Sequence, residues 1–131
     1  MADGKWEMRY SLFDLKQVSP SNDGIGKVTI KNQLLFSSSS ERIFYDKDGG
    51  WLAGHEGGNN IFRAYKITSE GIGQPRTSAI GTVHDVAVPN MAAGQIKLSA
   101  AKNILAVAIS KTSVPPADTD FNRAEFFHFD T

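Results

Sequence analysis

Trp6-Glu7-Met8-Arg9-Tyr10-Ser11-Leu12, Ile61-Phe62-Arg63-Ala64-Tyr65-Lys66-Ile67 and Ala124-Glu125-Phe126-Phe127-His128-Phe129 decide the fold class. In the first stretch Trp6, Met8, Tyr10 and Leu12 point one way and Glu7, Arg9 and Ser11 the other. Side chains that change sides at every residue are the signature of a strand with one covered face. All three stretches carry aromatic residues, which fits a pleated, half-buried surface.

Working outward, Lys27-Val28-Thr29-Ile30-Lys31 alternates, Asn32 interrupts it, and Gln33 to Ser37 resumes it. Asp46-Lys47-Asp48-Gly49-Gly50 is a tight turn, because Gly and Asp accept positive φ cheaply. It predicts a hairpin between 42–45 and 51–53. Gly54 to Asn60 reads as an exposed, glycine-rich loop. Residues 78–88, with Ile80, Val83, Val86 and Val88, read as a further strand, as does 95–98. Residues 99–111 fit two patterns. Asn103 to Ile109 is a β-branched run that suits a buried strand, whereas Ser99 followed by Ala100-Ala101-Lys102 suits a capped helix. Val114 to Asp120 reads as a long loop. The expectation is one all-β domain over 1–131, an antiparallel sandwich or squat barrel of about eight to ten strands.

Composition narrows the function classes. Fourteen basic and fourteen acidic side chains give a formal net charge of zero. A nucleic-acid or anionic-membrane partner needs a cationic surface, and no run of Lys or Arg supplies one. Zero net charge also leaves self-association unopposed, and aromatic-rich terminal strands suit a homo-oligomer. The absence of cysteine removes disulfides, thiolate metal sites and Cys nucleophiles, and leans toward the cytoplasm. The first residues do not read as a signal peptide, and no apolar run approaches the ~20 residues of a membrane-spanning helix.

Gly58-Asn59-Asn60-Ile61-Phe62-Arg63-Ala64-Tyr65-Lys66-Ile67-Thr68-Ser69-Glu70-Gly71 resembles the outer-strand segment of lactonase-type β-propeller blades, where an Asn precedes a strand and an acidic-Gly turn follows it. Ile96 to Ala108 is similar to the inner strand pair of such a blade, where a turn residue and Lys precede an apolar strand. The resemblance implies roughly two blades plus an outer strand at 6–12. Propellers close with about four to eight blades, so closure would take several copies of the chain; generic antiparallel hairpins give the same pattern. Enzymatic members of that family hydrolyse sugar lactones, and none of their catalytic positions maps onto this chain.

The chemistry-bearing residues gather around 46–60. Trp51 beside polar loop residues is how a sugar-binding module stacks a pyranose ring and fixes its hydroxyls. The expected site has Trp51 as platform and Asp48, His55, Glu56, Asn59 and Asn60 as hydrogen-bonding groups, with a carbohydrate-like or small polar ligand and no cofactor. An alternative is a small β-barrel enzyme with His55, Glu56 and His84 as general acid and base; a third is a structural homo-oligomer subunit. The three histidines are 29 and 44 residues apart in sequence, unlike zinc motifs, which keep two ligands within a few residues. Asp46-Lys47-Asp48 and Asp118-Thr119-Asp120 begin like calcium loops, but Trp51 and Arg123 stand where the loop requires glycine. Gly24-Ile25-Gly26 and Gly71-Ile72-Gly73 read as turns or bulges.

Overall fold

In the computed structural model, residues 6–18, 20–85, 91–110 and 122–130 are described, and they form strands without an α-helix. Val86 and Val88, the 114–120 loop and the second calcium-like stretch lie outside the described residues. The chain divides into two compact units, Met1–Ser38 and Ser39–Thr131.

The first unit is an antiparallel pair, β1 (Glu7–Asp14) and β2 (Lys27–Ser37). Asn32 sits inside β2 at φ 54°, so it kinks the strand without ending it. The register slips between Met8 and Arg9 and twice more before Phe13. Each slip moves following side chains to the other face. Met8 opposite Phe36 is therefore buried, as is Phe36, while Trp6, Leu12 and Phe13 are exposed. The single covered face expected for Trp6, Met8, Tyr10 and Leu12 is thus broken by bulges.

The second unit holds two sheets. The larger runs β3 (Ser39–Asp46), β4 (Trp51–Glu56), β5 (Ile61–Thr68), then an edge interrupted after two residues, β6 (Gly71–Ile72) and β7 (Arg76–Ala79), both pairing with β5. The smaller has the order β10 (Asn122–His128), β9 (Ile104–Ser110), β8 (Gly94–Leu98). All pairings are antiparallel and neither sheet closes on itself, so the fold is a sandwich and the barrel alternative falls. The helical alternative for 99–111 falls too. Ser99 Oγ accepts the N–H of Asn103 and of Ile104, which closes a tight turn with Lys102 at φ 58°. Leu105, Val107 and Ile109 then alternate inward. The predicted 78–88 strand is shorter than its pattern: β7 stops at Ala79, and Ile80 and Val83 are exposed.

The core lies where the two sheets of this unit face each other. Ile96, Leu105, Val107 and Ile109 from the small sheet pack with Phe62 and Met91, flanked by Phe44, Leu98, Phe127 and Phe129. Burying a side chain of the Ile or Val size stabilises by about 1.5–3 kcal/mol, and Ile96 and Val107 are essentially inaccessible.

Candidate functional site

Register fixes which side chains of the large sheet share its inner face. Asp46 opposes Trp51, which opposes Lys66; Phe44 opposes Ala53, which opposes Ala64; His55 opposes Phe62. Arg76 and Ser78 on β7 stand opposite Ala64 and Phe62. Directly opposed residues project to the same side. The face is therefore apolar in the middle and polar at both ends: Arg42 and His55 at one, Asp46, Trp51, Lys66 and Arg76 at the other.

The first end is closed. Arg42 is 1% exposed. Its guanidinium donates to the carbonyls of Met91 (2.7 Å), Ala92 (3.3 Å) and Ala108 (3.0 Å), to that of Ala93, and to His84 Nδ1 at 3.1 Å. Among the described residues no carboxylate hydrogen-bonds to this guanidinium; backbone carbonyl dipoles hold the charge. His55 and His84 are both inaccessible, and their rings stack at 3.5 Å between centroids and 21° between planes. His55 Nδ1 lies 2.5 Å from the Glu56 carbonyl, which assigns the proton to that nitrogen. His84 Nδ1 accepts from Arg42, which assigns its proton to Nε2. Accepting at Nδ1 makes the His84 ring neutral. Burial pushes His55 down to about 4, with the nearby Arg42 charge acting the same way against hydrogen bonding to Glu56. Burial pushes His84 to about 3, helped by His55 and Arg42. Neither Nε2 has a hydrogen-bond partner. His84 Nε2 carries the proton and so offers no lone pair, which leaves His55 Nε2 as the one available imidazole donor atom in the stacked pair. Among the described residues no group of three His, Cys, Asp or Glu is placed to hold a metal.

This corrects the acid–base expectation. His55 and His84 meet across 29 residues, yet they meet in the core. Residues 54–56 are strand, not loop, because β4 runs on to Glu56. Successive residues on a strand face opposite ways, so Glu56 leaves His55 and turns to the other face. There its carboxylate accepts from Asn59 Nδ2 at 2.6 Å and pairs with Arg63 Nε. His128 is exposed, on the side of β10 opposite Phe127 and Phe129.

The other polar residues of the expected site are mostly occupied by the fold. Asn59 Oδ1 accepts the Ile61 N–H, and its carbonyl accepts the His84 N–H. Asn60 donates weakly to the Gly81 carbonyl at 3.4 Å. These contacts tie 57–60 to 80–84. Asp48 is exposed at the tip of the β3–β4 turn beside Lys47 at 3.2 Å, and the turn itself is closed by Asp46, whose carboxylate accepts the N–H groups of Asp48 and Gly49. Trp51 stands four residues from His55, about 13 Å along the strand. The expected constellation is therefore split between the two ends of the sheet.

The second end is open, and Trp51 belongs to it. A cavity of about 470 Å³ is lined by Gly49, Trp51, Lys66, Gln74, Arg76 and Lys102. Lys66 Nζ lies 5.0 Å from the Trp51 ring centroid and the Arg76 guanidinium carbon 5.2 Å. Phe129 meets the ring edge-on at 6.1 Å. Trp51 is only 6% exposed, so it walls the cavity and does not offer the open stacking platform expected of it. Lys102 Nζ reaches across from the β8–β9 turn to Asp46 Oδ2 at 3.0 Å. Burial opposes ionisation of Asp46, but Lys102 and the turn N–H groups outweigh it and hold the carboxyl below the usual range. A second cavity of about 200 Å³ shares Trp51 and Arg76 with the first and is lined further by Phe62, Phe127 and Phe129.

Lys66, Gln74, Arg76 and Lys102 were missed by reading the sequence. One signal was present: Lys66 falls on the same strand face as Phe62 and Ala64, a charge on an otherwise apolar face. Comparison with protein-family models, with curated proteins and with solved structures gives no match.

Proposed function

We propose that the chain is a non-catalytic binding module for a small polar, carbohydrate-like ligand, and that the ligand occupies the cavity beside Trp51. The observation that carries this reading is the cavity itself. Its volume of about 470 Å³ falls in the range of small-molecule sites, which is about 300–1,000 Å³. Its wall combines the small accessible part of an indole with the polar ends of Lys66, Gln74, Arg76 and Lys102, so apolar and hydrogen-bonding groups meet at one void. The buried histidines take no part, since no solute reaches them.

A glycan array probed with the wild type, Trp51→Ala and Gln74→Ala tests it. Gln74 is exposed outside the strands, so its replacement leaves the core intact. Binding that disappears in both variants supports the reading, and binding unchanged in both rejects it.

A second reading, assembly between copies, is favoured by Phe126. It is 69% exposed on β10, an edge strand of the small sheet. Unpaired edges with apolar side chains recruit further strands. Light scattering on the wild type and on Phe126→Lys tests it: a strict monomer for the wild type at high concentration removes it.

A further inference from the structure

Building on the binding reading above, we propose that the cavity beside Trp51 selects an anionic ligand, gripping the oxyanion of a sugar acid or sugar phosphate with Lys66 and Arg76.

Charge matching at the cavity supports this. Of its three cations, Lys102 is spent on Asp46. Lys66 donates only to the Gly49 carbonyl, at 2.5 Å, and lies near the indole. Arg76 lies over the indole and borders the adjoining cavity, whose lining includes Asp130. Among the described residues no carboxylate pairs with either. Two positive charges therefore face one void in a chain whose net charge is zero, so the excess is local. Both stand at the solvent-exposed end of a sheet face that is otherwise apolar at Ala53, Phe62 and Ala64. Guanidinium and ammonium groups form charge-assisted hydrogen bonds with carboxylate and phosphate oxygens alike, so oxyanion is the shared chemistry. The carbon skeleton of the ligand has Trp51 beside it, with Phe127 and Phe129 in the adjoining cavity.

A charge also blunts a sheet edge against aggregation, and Arg76 lies on one. That role needs no ligand, and the test separates the two. Calorimetric titrations use galactose, galacturonate and galactose 1-phosphate with the wild type, Arg76→Gln, Arg76→Lys and Lys66→Gln. The expected result is binding of at least one acid at least about tenfold tighter than galactose, the size of one charge-assisted contact. Raised salt weakens it, Arg76→Gln and Lys66→Gln abolish the preference, and Arg76→Lys retains part of it. The two acids identify which oxyanion is read. Galactose binding as tightly as both acids overturns the anion proposal and leaves the binding reading standing. No binding by any of the three also overturns it, and the neutral glycans of the array then decide the binding reading separately. Equal losses in Arg76→Lys and Arg76→Gln overturn it too, since charge would not be what matters.

Discussion

The two ends of the large sheet in the second unit both carry cations on the inner face, and they treat them differently. At the closed end Arg42 is wrapped by four backbone carbonyls and one imidazole nitrogen, with no ion pair among the described residues. At the open end Lys66 and Arg76 lean on an indole and border a void. Removing a buried charge from its cage orphans the carbonyls that surround it, so it is costly. Removing a charge from a wet cavity leaves water to replace it, so it is cheap. The closed end thus carries stability, and the open end is where a substitution costs the fold little.

The largest contrast comes from Arg42→Ala. It empties the cage and strands the carbonyls of Met91, Ala92, Ala93 and Ala108. We expect a loss of about 4 kcal/mol or more, measured by urea unfolding, or no folded protein. A loss below about 1 kcal/mol would erase the distinction between the ends.

Acid gives the next effect. Unfolded imidazoles titrate near 6.5, whereas the folded ones are pushed to about 4 in His55 and about 3 in His84. Between those values the unfolded chain binds more protons, so stability is intact above about 6.5 and is lost as pH falls. With two sites the slope approaches about 2.7 kcal/mol per pH unit around pH 5. Unfolding curves at pH 7, 6, 5 and 4.5 measure it, after subtraction of the carboxylate contribution below pH 5. A flat profile from 7 to 5 would mean that the rings are already hydrated.

Gly94→Ala sharpens the closed end further. Gly94 has φ 146°, and a Cβ there would meet the Ala108 carbonyl and lie 2.6 Å from Arg42 Nε. Backbone atoms cannot give way, and a loss of about 2–3 kcal/mol follows. Thermal melts beside Gly58→Ala test this. Gly58 also has a positive φ, but a Cβ there meets nothing, so its loss is limited to backbone strain.

The smallest effect is expected at the open end. Arg76→Gln removes one cation over Trp51, worth about 0.5–1 kcal/mol at a solvated site. Stability should change by no more than that, with any large effect confined to ligand binding. A loss above about 2 kcal/mol in the ligand-free protein would mark Arg76 as structural.

Much of the fold was readable because strands and turns are local. The Asp46 to Gly50 turn announces the β3–β4 hairpin without help from the rest of the chain, whereas the β-branched run Asn103 to Ile109 left strand and helix both open until its partners were known. The site was less readable. Trp51 was expected to share one site with the polar residues that follow it, but its polar neighbours in sequence are not its neighbours in space. Five residues of strand carry Glu56 about 17 Å from Trp51, and the pleat turns it to the opposite face from His55.

The residues alone determine what depends on short range: the period-2 pattern, the turns where Gly and Asp accept unusual φ, and the neutral overall charge. Only the tertiary structure decides which distant residues meet. Arg42 reaches His84 and the 91–93 carbonyls, and Lys102 reaches Asp46, because antiparallel pairing and sheet stacking set those distances. Hydrogen-bond register and packing across a sandwich are properties of pairs of segments, and no single segment encodes them.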